Sequence, residues 1–260
     1  MGEENKILLR NEFDGIYKLT LNRPRAHNAL SYDLLLEISN ALNTIKKNKR
    51  IKVLIIDANG PSFCSGHDLK EINSKNDKES YKKLFSLCSS VMLSIIKLDI
   101  PVIASVHSTA TAAGCQLVAT CDLAIASDKA RFATPGVNIG LFCSTPMVAL
   151  SRNISKKHSM EMLLTGDLID ALTAKEYGLI NRVVPCRDLN DTVLEIAKKI
   201  LKKSSKTIAT GKKAFYEQLE LGVSEAYKFT SEIMTNNMTE YNAQEGVDAF
   251  LQKRQPVWKD

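Results

Sequence analysis

Short apolar runs separated by helix-length stretches constrain this chain more than any other feature. Ile16-Tyr17-Lys18-Leu19-Thr20-Leu21 alternates at period two, and Val53-Leu54-Ile55-Ile56 is continuously apolar. Between them Leu34, Leu35, Ile38, Leu42 and Ile45 fall on one face of a helix over 31–47. Pro101-Val102-Ile103-Ala104-Ser105-Val106 and Leu123-Ala124-Ile125-Ala126 read as two further short buried strands. Strands joined through helices imply an α/β fold.

After about residue 145 the strand pattern becomes rare. Thr173-Ala174-Lys175-Glu176 reads as a capping box, and amphipathic stretches follow near 188–203, 204–220 and 224–237. The expected division is a core over 1–200 and a C-terminal helical subdomain over 201–260, packed together because no Pro/Gly/Ser-rich linker separates them.

Composition removes several classes. Apolar residues make up 44% of the 260, enough for a packed core rather than a disordered chain. Lys+Arg 35 against Asp+Glu 29 gives +6, but the basic pairs are scattered and not interleaved with aromatics, which suits a small anionic ligand better than nucleic acid. Six cysteines without a C-x-x-C and four histidines without metal-ligand spacing give no reason to expect a metal. The start, Met1-Gly2-Glu3-Glu4-Asn5-Lys6, has no signal core, and no apolar run is long enough to span a bilayer. A cytoplasmic protein with reduced thiols is expected, or one of the mitochondrial matrix if a transit peptide has been trimmed.

Two segments carry the chemistry. Ser62-Phe63-Cys64-Ser65-Gly66-His67-Asp68-Leu69 follows one strand, and His107-Ser108-Thr109-Ala110-Thr111-Ala112-Ala113-Gly114-Cys115 follows another. Each turns toward a helix through small residues, so a ligand can approach backbone N–H groups that lack intrahelical partners. Two such turns facing each other would make an oxyanion hole for a thioester; alone, each is more often the mark of tight strand-helix packing.

These segments resemble the enoyl-CoA hydratase/isomerase (crotonase) superfamily over nearly the whole length. Asn22-Arg23-Pro24-Arg25-Ala26-His27-Asn28-Ala29-Leu30 is similar to the family's opening motif, and Phe63 to Leu69 to its first oxyanion turn. Pro101 to Ala104 leading to Ala112-Ala113-Gly114-Cys115 resembles the second, with Leu164-Thr165-Gly166, Ala174 to Leu179 and Val183-Val184-Pro185 as later landmarks. The resemblance implies a spiral of ββα units whose C-terminal helices serve oligomerisation, as a homotrimer or dimer of trimers. It implies a coenzyme A thioester as substrate with no separate cofactor, and a role in fatty-acid metabolism. His67 and Ala113 would donate backbone N–H groups to the thioester oxygen. Arg25 and Ala26 would lie near the phosphates, Ser65, Gly66 and Asp68 around the adenine turn, and Phe250 and Lys253 against adenine and the 3′-phosphate, often from a neighbouring subunit. Phe250 reads equally as a helix-core residue on spacing.

The chain departs from the family where hydratases carry two glutamates: Gln116 and Gly136 stand there. Gln cannot exchange a proton near neutral pH and Gly has no side chain, so ordinary hydration is expected to be very slow or absent. Gly140, Cys143 and Ser144 lie where the family closes over the acyl group. The Cys143 thiol there is either a substrate contact or a small buried thiol, and the His67 ring either a titrating group or a packing one. The leading expectation is an acyl-CoA lyase, isomerase or hydrolase that does not need the glutamates; the alternative is a catalytically silent acyl-CoA binder.

Overall fold

The computed structural model describes residues 6–259. The start of the chain and the outer limits of both expected units, 1–200 and 201–260, therefore lie partly outside the described residues. Among these the strands are β1 (Leu8–Phe13), β2 (Ile16–Leu21), β3 (Val53–Ala58), β4 (Val102–Val106), β5 (Ala110–Thr111), β6 (Leu123–Ser127), β7 (Arg131–Ala133), β8 (Ile169–Asp170) and β9 (Arg182–Val184). The helices are α1 (Tyr32–Lys47), α2 (Leu69–Lys75), α3 (Lys78–Ile96), α4 (Ala113–Thr120), α5 (Pro146–Asn153), α6 (Lys156–Thr165), α7 (Ala171–Tyr177), α8 (Leu189–Leu201), α9 (Ser205–Gln218), α10 (Val223–Met238) and α11 (Tyr241–Leu251).

Six strands form one sheet in the order β1-β2-β3-β4-β6-β9, and β5-β7-β8 form a smaller one. Only β1 is antiparallel in the large sheet. Its hairpin turns on Asp14 and Gly15, with φ of 49° and 78°. That is the left-handed pair a two-residue hairpin requires, and the Asp-Gly dipeptide signals it in the sequence.

Period-two alternation splits each central strand between two cores. Leu54, Ile56, Val102, Ala104 and Ala126 face the larger core with α1, α3 and α4. Val53, Ile55, Ile103 and Ile125 face a smaller one, closed by Leu189, Val193 and Ala197 of α8. Burial on both faces explains why β3 and β4 read as nearly continuous apolar runs and not as strict alternation. Helix α1 begins at the Ser31 cap, whose hydroxyl accepts the Leu34 N–H at 3.2 Å, and buries Leu34, Leu35, Ile38, Leu42 and Ile45 as the pattern predicts.

The capping box at Thr173 is not what forms. Asp170 caps α7, its carboxylate accepting the Thr173 N–H at 2.8 Å, so Thr173 lies inside the helix. The helix starts one turn earlier than the box implies, so the orphan N–H served is that of Thr173, from Asp170, and not that of Glu176. Helices α8, α9 and α10 match the three amphipathic stretches; α11, which they do not include, ends the chain's helical region.

A buried ion pair fastens α9 to the sheet. Lys212 Nζ donates to Asp122 Oδ2 at 2.7 Å and to the Ile95 and Ile100 carbonyls at 3.2 and 2.9 Å. Asp122 also accepts the Val102 N–H at 2.7 Å and the Tyr216 hydroxyl at 2.8 Å. Every polar atom of the pair is thereby occupied, as burial of charge demands.

Candidate functional site

The opening motif is a clamp. Arg23 donates to the Asp68 carboxylate at 2.8 Å and to the Ala29 carbonyl. Fully buried Asn28 donates to the Asn59 and Ser62 carbonyls at 2.7 and 2.8 Å and accepts the Arg23 N–H. Asn28 welds the 22–30 segment to the 59–68 loop, which explains both an Arg and an Asn at this spacing. Asp68 caps α2, accepting the Lys70 and Glu71 N–H groups. Burial pushes its pKa up, but the Arg23 hydrogen bond and the two amides outweigh that and lower it.

Two bridges hold the 63–68 segment. Cys64 pairs with Ala110: Cys64 N–H donates to the Thr109 carbonyl at 3.2 Å and Thr111 N–H to the Cys64 carbonyl at 2.9 Å. His67 pairs with Leu30, whose N–H donates to the Gly66 carbonyl at 2.7 Å while the Asp68 N–H reaches the Leu30 carbonyl at 3.4 Å. In such a parallel bridge the intervening His67 N–H faces the other side of the segment. Among the described residues it donates to no protein acceptor, and neither does Ala113 N–H at the first position of α4.

The turns carrying these amides touch. A Cβ added to Gly66, which has φ 97°, would meet the Ala112 methyl at 2.8 Å and the Ala113 nitrogen at 3.4 Å. One added to Gly114 would meet the Cys64 carbonyl oxygen at 2.2 Å. The two glycines thus permit the approach. Ala112 sits at φ 50°, ψ −119°, a region that L residues rarely occupy and that costs about 1–3 kcal/mol. Its N–H is held by the Ala133 carbonyl at 2.9 Å. This torsion sets the direction in which the Ala113 amide leaves the turn, and nothing in the local sequence announces it.

Three side chains here enclose polar atoms that lack a well-aligned hydrogen-bond partner: both ring nitrogens of half-buried His67, Oε1 of Gln116 and Oγ1 of Thr134. Unpaired buried groups are rare in folded proteins and cost about 1–3 kcal/mol each. His67 packs edge-on against Phe85 of α3, ring centroids 5.3 Å apart. Burial lowers its pKa, outweighing the Leu30 carbonyl and the Glu71 carboxylate, which favour the charged form. Gln116 lies one turn into α4 from Ala113 and is 5% exposed. Nothing in the sequence marks Thr134 as a site residue, because a lone Thr between a strand and a proline carries no pattern.

At Gly136 the space for a side chain is filled. An added Cβ would lie 2.7 Å from the Leu141 carbonyl oxygen and 2.9 Å from Cys143 Sγ. Cys143 is buried and its pKa is raised by that burial, against a lowering hydrogen bond from the Gly136 backbone. Ser144 turns its hydroxyl onto the Phe142 carbonyl at 3.3 Å, and Gly140, at φ 76°, stands in the open. Around this loop Ile139, Leu141 and Phe142 are exposed.

Arg25 and Ala26 lie in a 3-10 turn over Pro24–Ala26; the exposed Arg25 side chain has no ion pair among the described residues. Ser65 N–H is taken by the His27 carbonyl at 3.1 Å, while its carbonyl accepts the Thr111 hydroxyl at 3.1 Å and keeps a second lone pair. Phe250 is 83% exposed, which overturns the helix-core alternative. It borders an apolar groove with Lys203, Val247 and Trp258, and none of that groove's lining residues belongs to the 22–30, 62–69 or 107–116 segments. Lys253 follows α11 on the surface. Within one chain, therefore, the groove does not join Phe250 to the paired turns.

No group of three or more potential metal ligands gathers among the described residues, and no helix there is long and apolar enough to cross a membrane.

Comparison with known proteins gives a consistent outcome. The profile described as Enoyl-CoA hydratase/isomerase matches residues 11–260. The chain is 46% identical over 255 residues to "Enoyl-CoA hydratase domain-containing protein 3, mitochondrial" of Rattus norvegicus, covering 98% of this chain and 85% of that one. The Homo sapiens protein of that name is 46% identical over 247 residues, covering 95% and 82%. Among solved structures, an enoyl-CoA hydratase of Mycobacterium smegmatis is similar with a TM-score of 0.96 and 47% identity, covering 98% and 99%. The human enoyl Coenzyme A hydratase domain-containing protein 3 is similar at 0.94 and 45%, covering 97% and 100%.

Proposed function

The chain belongs to the enoyl-CoA hydratase/isomerase family, and from that premise we propose that it binds an acyl-CoA thioester and stabilises negative charge on the thioester oxygen. The donors are the backbone N–H groups of His67 and Ala113. The observation that carries this is their adjacency without acceptors, on two turns in contact through Gly66 and Ala112. Such preorganised donors are each worth ~2.7–4 kcal/mol of barrier.

The reaction is of lyase, isomerase or hydrolase type in fatty-acid metabolism, and does not pass through the carboxylate pair of ordinary hydration. Gln116 offers an amide and the place beside Gly136 is taken by Cys143. Arg25, with its uncommitted guanidinium, meets the phosphates; Ser65 offers its carbonyl to adenine. Phe250 and Lys253 come from a second copy in a homotrimer or dimer of trimers, a reading supported by the exposure of Phe250. The relatives' names carry the word mitochondrial, which supports a mitochondrial location over the cytoplasm. The filled space at Gly136 equally favours a second reading, an acyl-CoA binder that has lost proton chemistry.

Calorimetry with crotonyl-CoA and acetyl-CoA, followed by turnover assays reading enoyl absorbance and released thiol, tests the proposal. Binding of both is expected, without hydration. Ala113→Pro places proline at the first position of α4, where it is tolerated, and removes one donor. Turnover of any thioester substrate is expected to fall by ~100- to 1,000-fold with binding retained. Absence of acyl-CoA binding overturns the proposal, and binding without turnover across the panel favours the silent binder.

A further inference from the structure

We propose that a lysine-rich corner at the N-terminal edge of the large sheet docks the protein onto an anionic lipid surface. Three segments far apart in the chain meet there. The Lys52 N–H donates to the Gly15 carbonyl at 2.7 Å, and Asn48 Nδ2 donates to the Glu12 carboxylate at 3.2 Å. A Cβ added to Gly15 would meet Leu201 Cδ2 at 3.3 Å and the Arg50 carbonyl oxygen at 3.5 Å. The β1–β2 turn, the loop after α1 and the end of α8 therefore share one corner. Residues 12–15, 46–52 and 195–203 together hold nine basic and three acidic residues, an excess equal to the +6 of the whole chain. Pairs that look scattered in the sequence, Lys46-Lys47 and Lys202-Lys203, are gathered by the fold.

The corner's acids do not neutralise it. Glu195 pairs with Lys199 at 2.6 Å and Glu12 with Arg50 at 3.9 Å. Lys46, Lys47, Lys49, Lys198, Lys202 and Lys203 are exposed and have no ion pair among the described residues. Residue type then selects the partner. Eight of the nine basic residues are Lys, and the one aromatic in these segments, Phe13, packs against the smaller core. Protein interfaces favour Arg and aromatics over Lys, and nucleic-acid sites favour Arg and stacking rings. A lysine face without exposed rings suits diffuse attraction to lipid headgroups, where each basic residue adds about fivefold in partitioning.

The topology gives such docking an orientation. Ile16 pairs with Val53 in parallel register, so the corner lies at the N-terminal ends of β2 and β3. The 62–69 and 107–113 turns leave the C-terminal ends of β3 and β4, which are also parallel. A molecule held by the corner therefore carries its paired turns on the side away from the lipid.

Flotation of the full chain with phosphatidylcholine vesicles, with and without about one part phosphatidylserine in three, tests this. Binding is expected only to the phosphatidylserine vesicles at about 0.05 M salt, and is expected to vanish at about 0.5 M, where screening shortens the reach of charge. Lys47→Gln, Lys49→Gln, Lys198→Gln and Lys202→Gln combined should weaken it ~100-fold or more. A control with Lys82→Gln, Lys83→Gln, Lys156→Gln and Lys157→Gln removes the same charge elsewhere and should change it by less than ~5-fold. All these side chains are exposed, and circular dichroism checks that both variants fold. No binding to phosphatidylserine vesicles, or an equal loss in the two variants, overturns the proposal. So does tighter binding of a single-stranded RNA oligonucleotide than of the vesicles at the same salt, which gives the face to nucleic acid instead.

Discussion

Putting carboxylates back at positions 116 and 136 tests the packing of the site most sharply. From residue types alone, Gln116→Glu with Gly136→Glu ought to create a hydratase; the geometry predicts that it does not. A Cβ at 136 meets the Leu141 carbonyl oxygen at 2.7 Å and Cys143 Sγ at 2.9 Å, well inside the ~3.5–4.0 Å of attractive carbon contacts. The Leu141 oxygen is backbone and cannot rotate away, so the 136–143 loop must shift, at about 1–3 kcal/mol. At 116 a carboxyl would replace an amide that is 5% exposed and whose oxygen already lacks a donor. Burial would raise its pKa above the unfolded value of ~4.3. The folded chain would then hold the acid neutral while the unfolded chain ionises. The penalty is therefore absent below pH ~4.3 and grows as pH rises toward the folded pKa, by about 1.4 kcal/mol per unit of difference. Urea unfolding should show Gln116→Glu losing more stability relative to the parent at about pH 8 than at about pH 5. The double variant should lose a further ~1–3 kcal/mol without accelerating loss of crotonyl-CoA absorbance. A double variant as stable as the parent and competent in hydration would refute the assignment of that space to Cys143 and Leu141.

Two other outcomes follow from the geometry. Lys212→Met strands Asp122 and the Ile95 and Ile100 carbonyls and should cost ~3–5 kcal/mol in urea unfolding; adding Asp122→Asn should recover part of it, and a loss under ~1 kcal/mol contradicts the buried-pair account. Alkylation at neutral pH should modify exposed Cys186 first, because burial encloses the other five thiols and pushes Cys64, Cys88 and Cys115 up to about 12; early labelling of Cys143, mapped by mass spectrometry, would show its loop to be open.

The α/β class, helix α1 and strands β2, β3, β4 and β6 are legible in the chain because period-two and period-3.6 apolar patterns are local. So is the family, through ordered landmarks from Asn22 to Pro185, and so are the residue types at 116 and 136, an amide and a bare glycine, neither of which carries a proton-exchanging side chain. Strand β1 is not among the legible strands: its middle, Arg10-Asn11-Glu12, is polar and exposed, and only the Asp14-Gly15 turn marks it.

Other features belong to the tertiary structure. Cys143 fills the space of residue 136, Ala112 takes a torsion that its type disfavours, both His67 ring nitrogens lack a well-aligned partner, and Lys212 finds Asp122 from 90 residues away. Each depends on which distant segments pack together, and packing overrides the local preferences that a sequence pattern reports. The residues at the site could be named from the chain; whether a given polar atom there is paired, crowded or waiting for a ligand was decided by the fold.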